Sequence, residues 1–184
     1  MKKILSFSGS NSTKSINHKL ASFAASQIVG HDIEIIKLAD YVLPLYSEDI
    51  QNERGFPIDL NLLYNKIKEA DALIISVNEH NGMISAFFKN ILDWLSRLDR
   101  KFLEGKKILL MSTSSGKRGG AGALEYMKYI LPKFGAIIVE SFSIPSFALN
   151  FSEDSQSISD EILSLGFIDV VQNFTHQIAH ECVQ

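Results

Sequence analysis

Two hydrophobic periods alternate along this chain, and that alternation limits the fold more than any other feature. Short β-branched or continuous apolar runs stand at residues 4–7, 33–36, 73–77, 108–111 and 137–139, each too short for a buried helix of ordinary length. Between and after them apolar residues recur at helical spacing. These sets are Ile16, Leu20, Phe23 and Ala24; Leu60, Leu63, Ile67 and Ala70; Ile84, Phe88, Ile91, Leu95 and Leu98; Leu124, Met127, Ile130 and Leu131; and Ile162, Leu165, Phe167, Val170, Val171, Phe174 and Ile178. Five strands alternating with five helices are predicted. Strands that read as unbroken apolar runs are buried on both faces, and right-handed crossovers place helices on both sides of a parallel sheet. A three-layer, doubly wound α/β domain follows. With 184 residues, nearly half of them apolar, the chain has material for one such core and too little for two. Residues 1–184 therefore read as a single domain. In such sheets ligands bind beyond the carboxyl ends of the strands, where strand order reverses, so the loops after the first, third and fourth strands are the places to look.

Composition removes several function classes. The net charge of −3 comes from interspersed acids and bases, with no basic stripe to follow a phosphate backbone, so no nucleic-acid partner is expected. The longest apolar runs are about six residues, far below the roughly 20 needed to span a bilayer, and the Met-Lys-Lys start leads into a strand with no apolar leader. No membrane partner and a cytoplasmic location are expected. The single cysteine, Cys182, has no partner for an internal disulfide or a thiolate cluster. His176 and His180 stand four apart on the last helix, but no third ligand is evident and Gln177 takes the place of the glutamate of an H-E-x-x-H motif; no metal site is expected.

The loop after the first strand, SGSNSTKSINHKL, is built for an anion. Gly9 allows a tight turn, Ser10, Ser12, Thr13 and Ser15 offer hydroxyls, and a helix opening near Ser15 or Ile16 aims its free N–H groups and positive dipole end back at the loop. Lys14 is the one cation in the segment. An ordinary helix cap by Ser12 or Ser15 is the competing reading. The loop has neither the G-x-G-x-x-G dinucleotide pattern nor a terminal Gly-Lys-Ser/Thr, which favours a monophosphate over a dinucleotide or nucleoside triphosphate. A second glycine-rich segment, STSSGKRGGAG at 112–122, follows the fourth strand and reads as another wall of the same pocket.

Three motifs in order then carry a resemblance: Gly9-Ser10 with Ser15-x-Asn17-x-x-Leu20; Glu79-x-Asn81-Gly82 leading to Lys89-Asn90-x-x-Asp93-Trp94-Leu95; and Ser114-x-Gly116-x-x-Gly119-Gly120. The chain resembles the NADPH-dependent FMN reductase family of flavodoxin-like quinone, chromate and azo-dye reductases, over at least Lys3 to about Glu140. The segment 40–57 resembles the family's long stretch after strand two. The resemblance implies a flavodoxin-like, doubly wound, five-stranded parallel sheet of order 2-1-3-4-5. It also implies FMN as cofactor, NADPH or NADH as reductant, and a small-molecule electron acceptor: a quinone, azo compound, metal oxyanion or free flavin. Ser10, Ser12, Ser15, Ile16 and Asn17, with Gly9, would surround the ribityl phosphate. Asn78, Glu79, His80, Asn81 and Gly82 would line the pyrimidine end of the ring, largely with backbone groups, and Ser114, Gly116 and Gly119 would close its other edge. A homodimer or homotetramer is implied, packed through the helix that carries Trp94, Phe87 and Leu98; plain intramolecular packing of Trp94 is the other reading.

This chain departs from the family pattern at four positions. Ser12 stands where an arginine is common, Asn78 and Ser85 where prolines are usual, and His80 where a tyrosine is usual, which predicts a more mobile and more polar rim. His80 reads either as a proton donor near the ring or as a half-exposed loop residue. Lys117 and Arg118 read either as attractors of nicotinamide phosphates or as solvated charges. No side-chain catalyst is demanded, since the cofactor carries the chemistry. Two other readings share these loops: a flavodoxin-type one-electron carrier, usually strongly acidic and monomeric, and a flavin-binding module with little catalysis.

Overall fold

A computed structural model describes residues 1–179. Strand β1 (Lys3–Ser8) is followed by helix α1 (Ile16–Ser26), β2 (Asp32–Ile35), α2 (Glu48–Arg54), α3 (Ile58–Glu69) and β3 (Ala72–Val77). A two-strand hairpin, β4 (Glu79–His80) and β5 (Met83–Ile84), precedes α4 (Ala86–Leu98), β6 (Lys107–Thr113), α5 (Ala121–Ile130) and β7 (Ile137–Ile144). The described residues end with α6 (Phe147–Asn150), a second hairpin of β8 (Phe151–Ser152) and β9 (Ser157–Ile158), and α7 (Glu161–Ala179). The five sheet strands run parallel in the order β2-β1-β3-β6-β7, which is the expected 2-1-3-4-5.

The sheet carries two cores because its central strands are apolar on both faces. Along β1, β3 and β6, Leu5, Leu73, Ile75, Ile108 and Leu110 point to one side, where α3, α4 and α5 pack with Leu63, Phe88, Ile91 and Met127. Ile4, Ala72, Ile74, Leu109 and Met111 point to the other, against Leu20 and Phe23 of α1 and Phe167 and Phe174 of α7. Every residue of β3 is buried, whereas the edge strand β2 is half exposed and carries Asp32 and Glu34. Charges on an edge discourage pairing with another sheet.

Several elements differ from expectation. Strand β7 extends five residues beyond the apolar run at 137–139, because Glu140, Ser141 and Ser143 alternate with apolar residues on a half-exposed edge. On α7, Phe167, Val171, Phe174 and Ile178 are buried, but Ile162 and Leu165 stand 82% and 62% exposed; the long apolar set covers more than the core-facing side. The segment 40–57 is not structureless, since it holds α2 with a Ser47 cap.

Trp94 packs within the chain. It is fully buried, and its indole N–H donates to Pro44 O at 2.8 Å. Asn90, one turn earlier, takes both sides of the same stretch: its Nδ2 donates to Pro44 O (3.0 Å) and its Oδ1 accepts from Tyr46 N–H (2.8 Å). The spaced Asn90 and Trp94 of the sequence motif are thus the pins that hold 44–46 against α4. Asn90→Ala should lower unfolding stability by about 1–2 kcal/mol, since it removes two hydrogen bonds and orphans the Tyr46 N–H; urea denaturation reads this directly.

Candidate functional site

Three strands release their loops side by side at the carboxyl edge of the sheet, and a cleft of about 260 Å³ opens between them. Ser10, Ser12, Ser15, Ile16 and Asn17 line it from the first loop, Asn78, Glu79 and His80 from the second, and Ser114 from the third. Lys14, Thr113 and Ser115 also line it, and of these Thr113 was not expected there. Lys14 was visible as the loop's one cation; Thr113 is hidden by belonging to a strand. Gly9, Asn81, Gly82, Gly116 and Gly119 are not among the lining residues.

The first loop is held by its own hydroxyls. Ser10 Oγ accepts from Ser12 N–H and Ser12 Oγ from Lys14 N–H, each at 3.2 Å, and Ser15 Oγ caps α1 by accepting from His18 N–H at 3.1 Å. Each of these hydroxyls acts as an acceptor inside the loop, so its own proton is left for a group outside. Gly9 is not in the left-handed region. It is a glycine for packing: a Cβ there would sit 2.8 Å from the Phe88 ring. Ser85 completes the seam. Its hydroxyl donates to Gly9 O at 2.8 Å and accepts from Phe88 N–H at 3.1 Å, capping α4. Ser85 is buried, and its two hydrogen bonds tie this part of the rim to the first loop at a position where the family usually has a proline.

Asn17 is 2% exposed and joins three elements. Its Oδ1 accepts from Ser76 Oγ (2.8 Å) and Thr113 N–H (3.0 Å), and its Nδ2 donates to Thr113 O (3.0 Å). Both acceptor sites of the amide oxygen and one of its two hydrogens are spent on strand tips.

The second loop is a hairpin that the sequence pattern announces. Asn81 (φ 53°) and Gly82 (φ 80°) are both left-handed, as the primed turn of a two-residue hairpin requires, between paired Glu79–Ile84 and His80–Met83. Asn-Gly is the strongest short-range signal for this turn, yet it reads as a ligand-facing cluster when only the heterocycle is in view. His80 is exposed and its Nε2 lies 3.3 Å from Asn78 Nδ2. Among the described residues Asn78 Oδ1 is sealed from solvent and has no hydrogen-bond partner. Glu79 turns its carboxylate to α5, where it accepts from Ala123 N–H at 3.0 Å.

In the third loop Gly119 is left-handed (φ 60°) and a Cβ there would meet Ser143 Oγ at 2.2 Å. Its carbonyl accepts from the hydroxyls of Ser112 (2.7 Å) and Ser143 (2.9 Å), and Gly116 O accepts from Ser146 N–H (2.9 Å). These two glycines shape the loop from behind, while Lys117 and Arg118 stand exposed on it. A second groove of about 440 Å³, lined by His80, Asn81, Met83, Ile84, Ala86, Lys89 and Tyr126, runs along the outer side of the hairpin. It shares Lys89 and Tyr126 with a groove of about 280 Å³ between α4 and α5.

Among the described residues no group of three or more His, Cys, Asp and Glu is placed to hold a metal ion, and His180 and Cys182 lie outside them. No helix among the described residues is long and apolar enough to cross a membrane.

Comparison with known proteins agrees with this geometry. The chain is 32% identical over 127 residues to a quinone reductase of Escherichia coli K12, a stretch that spans 69% of this chain and 66% of that protein's length. It is 31% identical over 130 residues to an NAD(P)H-dependent FMN reductase of Pseudomonas aeruginosa, covering 70% of this chain and 69% of the relative. The structure is similar to that of the flavoenzyme NAD(P)H:(acceptor) oxidoreductase FerB of Paracoccus denitrificans, with a TM-score of 0.78, 26% identity, and coverage of 97% of this chain and 98% of the other. Residues 2–149 match the profile of the NADPH-dependent FMN reductases, and the chain belongs to that family.

Proposed function

We propose that the cleft holds FMN and that the protein uses it to pass electrons from NADPH or NADH to a small organic acceptor, with a quinone the favoured class. One observation carries the reading: the carboxyl ends of β1, β3 and β6 meet at a cleft that joins a hydroxyl-rich helix N-terminus to the residues that follow β3 and β6, Asn78–His80 and Ser114–Ser115. The polarity of the cleft sets the direction of the ligand. The N-terminus of α5 is already closed by the Glu79 carboxylate, while that of α1 is capped by the neutral Ser15 hydroxyl. An anionic group is therefore drawn to α1, where Ser10, Ser12 and Ser15 offer O–H donors and Lys14 a positive charge. Lys14 and the helix end stand in for the arginine that Ser12 replaces.

The chain fits the rest of the group as well. Asn78, Glu79 and His80 line the wall assigned to the ring, and Asn78 Oδ1 has no hydrogen-bond partner among the described residues. When bound, FMN supplies hydride acceptance and onward two-electron delivery. The protein's part is binding and orientation: the α1 end seats the phosphate, the hairpin and the 114–119 loop hold the ring edges, and reductant and acceptor use the same open side in turn. We assign no side chain a proton-transfer role. Relatives named for quinone reduction and FMN reduction support the acceptor class and the cofactor. A cytoplasmic setting, where nicotinamide nucleotides are the available reductants, suits this chemistry.

We also infer pairing with a second copy, as a homodimer or homotetramer, across the face of α4 and α5. Two adjoining grooves mark it, with Met83 46% exposed and Tyr129 66% exposed nearby. Sedimentation equilibrium should give twice or four times the chain mass; a monomer at micromolar concentration would remove this part of the reading.

Purified protein mixed with FMN and separated from free ligand should stay yellow, and anaerobic NADPH should bleach the band near-stoichiometrically. Retained colour without bleaching by either nicotinamide would reduce the protein to a binding module. Reversing Lys117 and Arg118 to glutamate should raise the KM for NADPH roughly three- to tenfold at low salt, with the difference shrinking as salt is added. An unchanged KM would return both residues to the solvated surface.

A further inference from the structure

The hairpin β4–β5 is a wall of the cleft that the main sheet does not support. Each of its strands has two residues, and an isolated pair that short has little stability of its own. Helix α5 holds it in place. The α5 N-terminus begins at Gly120, which has no side chain to offer, and no acidic residue stands in its first turn. Glu79 supplies the missing cap from another element, its Oε2 accepting from Ala123 N–H at 3.0 Å. A carboxylate here also meets the positive end of the helix dipole. The two elements approach as closely as backbone allows: a Cβ on Gly122 would lie 2.6 Å from Gly82 O and 2.8 Å from Glu79 Oε2. Glu79 at the same time lines the cleft, between Asn78 and His80.

We propose that Glu79 is a positioning residue: by capping α5 across the gap between the second and third loops, it fixes the Asn78–His80 backbone at the spacing from the α1 loop that a flavin ring needs. The proposal rests on the flavin reading of the cleft. A carboxylate reserved for chemistry on the ring would face the cleft with its oxygens free; here one oxygen is spent on Ala123. Glu79 thereby couples two walls that the chain order keeps 44 residues apart, and it leaves α1 as the helix end open to the phosphate.

Gly122 gives an independent handle on the same contact. Gly122→Ala keeps every group that lines the cleft and raises the helix propensity of α5, yet its new Cβ pushes the hairpin away. FMN is the probe, added to apoprotein and followed by quenching of its fluorescence and by the visible circular dichroism of the bound flavin. Glu79→Ala and Gly122→Ala should each raise the Kd for FMN roughly tenfold and alter the dichroism, whereas Glu79→Gln, whose amide oxygen still accepts from Ala123, should stay within about threefold of wild type. Wild-type affinity and dichroism in both alanine variants would overturn the role of Glu79 while leaving the flavin reading intact. Loss in Glu79→Gln equal to that in Glu79→Ala would also overturn it. A wild-type protein that leaves FMN fluorescence unchanged would overturn the flavin reading, and this inference with it.

Discussion

The side-chain amide of Asn17 is the tie on which the rest of this molecule's carboxyl edge depends. Parallel strands end in a row of unpaired backbone groups, and something must satisfy them while leaving a hollow. Asn17 does so from the first turn of α1, by bonding the Ser76 hydroxyl at the tip of β3 and both backbone groups of Thr113 at the tip of β6. Because Ser15, two residues earlier, caps the same helix, the clamp also sets where the α1 N-terminus lies. The hydroxyl loop, the dipole end and the floor of the cleft are placed by one buried amide.

Around that tie, close backbone approaches give the cleft its walls. Gly9 lies against the Phe88 ring, Gly119 under Ser143 and Gly122 under the hairpin, each with no room for a Cβ. The departures from the family pattern fall into this scheme differently. Ser85 takes over from a proline by binding Gly9 O and capping α4, so rigidity there comes from hydrogen bonds in place of a ring. Asn78 and His80 instead introduce polar groups, one of which is buried without a partner among the described residues. Polar groups left unsatisfied are costly in a fold and recur where a ligand completes the set.

The sheet was legible in the sequence because burial on both faces leaves an unbroken apolar run, as at 72–75 and 108–111. The far end of β7 was not, since Glu140, Ser141 and Ser143 on an edge strand carry the weaker alternating signal of half burial. Helix α2 has no buried residue, so no apolar stripe announces it; its Ser47 cap and acidic first turn were the available signs. The serine loop and its helix were readable from local chemistry. The roles of Asn17, Glu79 and Trp94 were not, because each side chain bonds a backbone group 44 to 96 residues away, and local spacing does not encode such pairings. Gly82 and Gly119 are left-handed, but at Gly9, read as freedom to turn, and at Gly122 the reason for a glycine is a neighbour brought in by tertiary packing.

The central claim is that the α1 N-terminus and its serine loop receive a phosphate while the hairpin faces a flat ring. Crystals grown with FMN test it most directly. The account predicts density for the ligand in the cleft, with phosphate oxygens within hydrogen-bonding distance of Ser10, Ser12 and Ser15 and the ring edge against 78–80. A phosphate seated at α5, or a flavin bound elsewhere with the cleft vacant at saturating ligand, would contradict it.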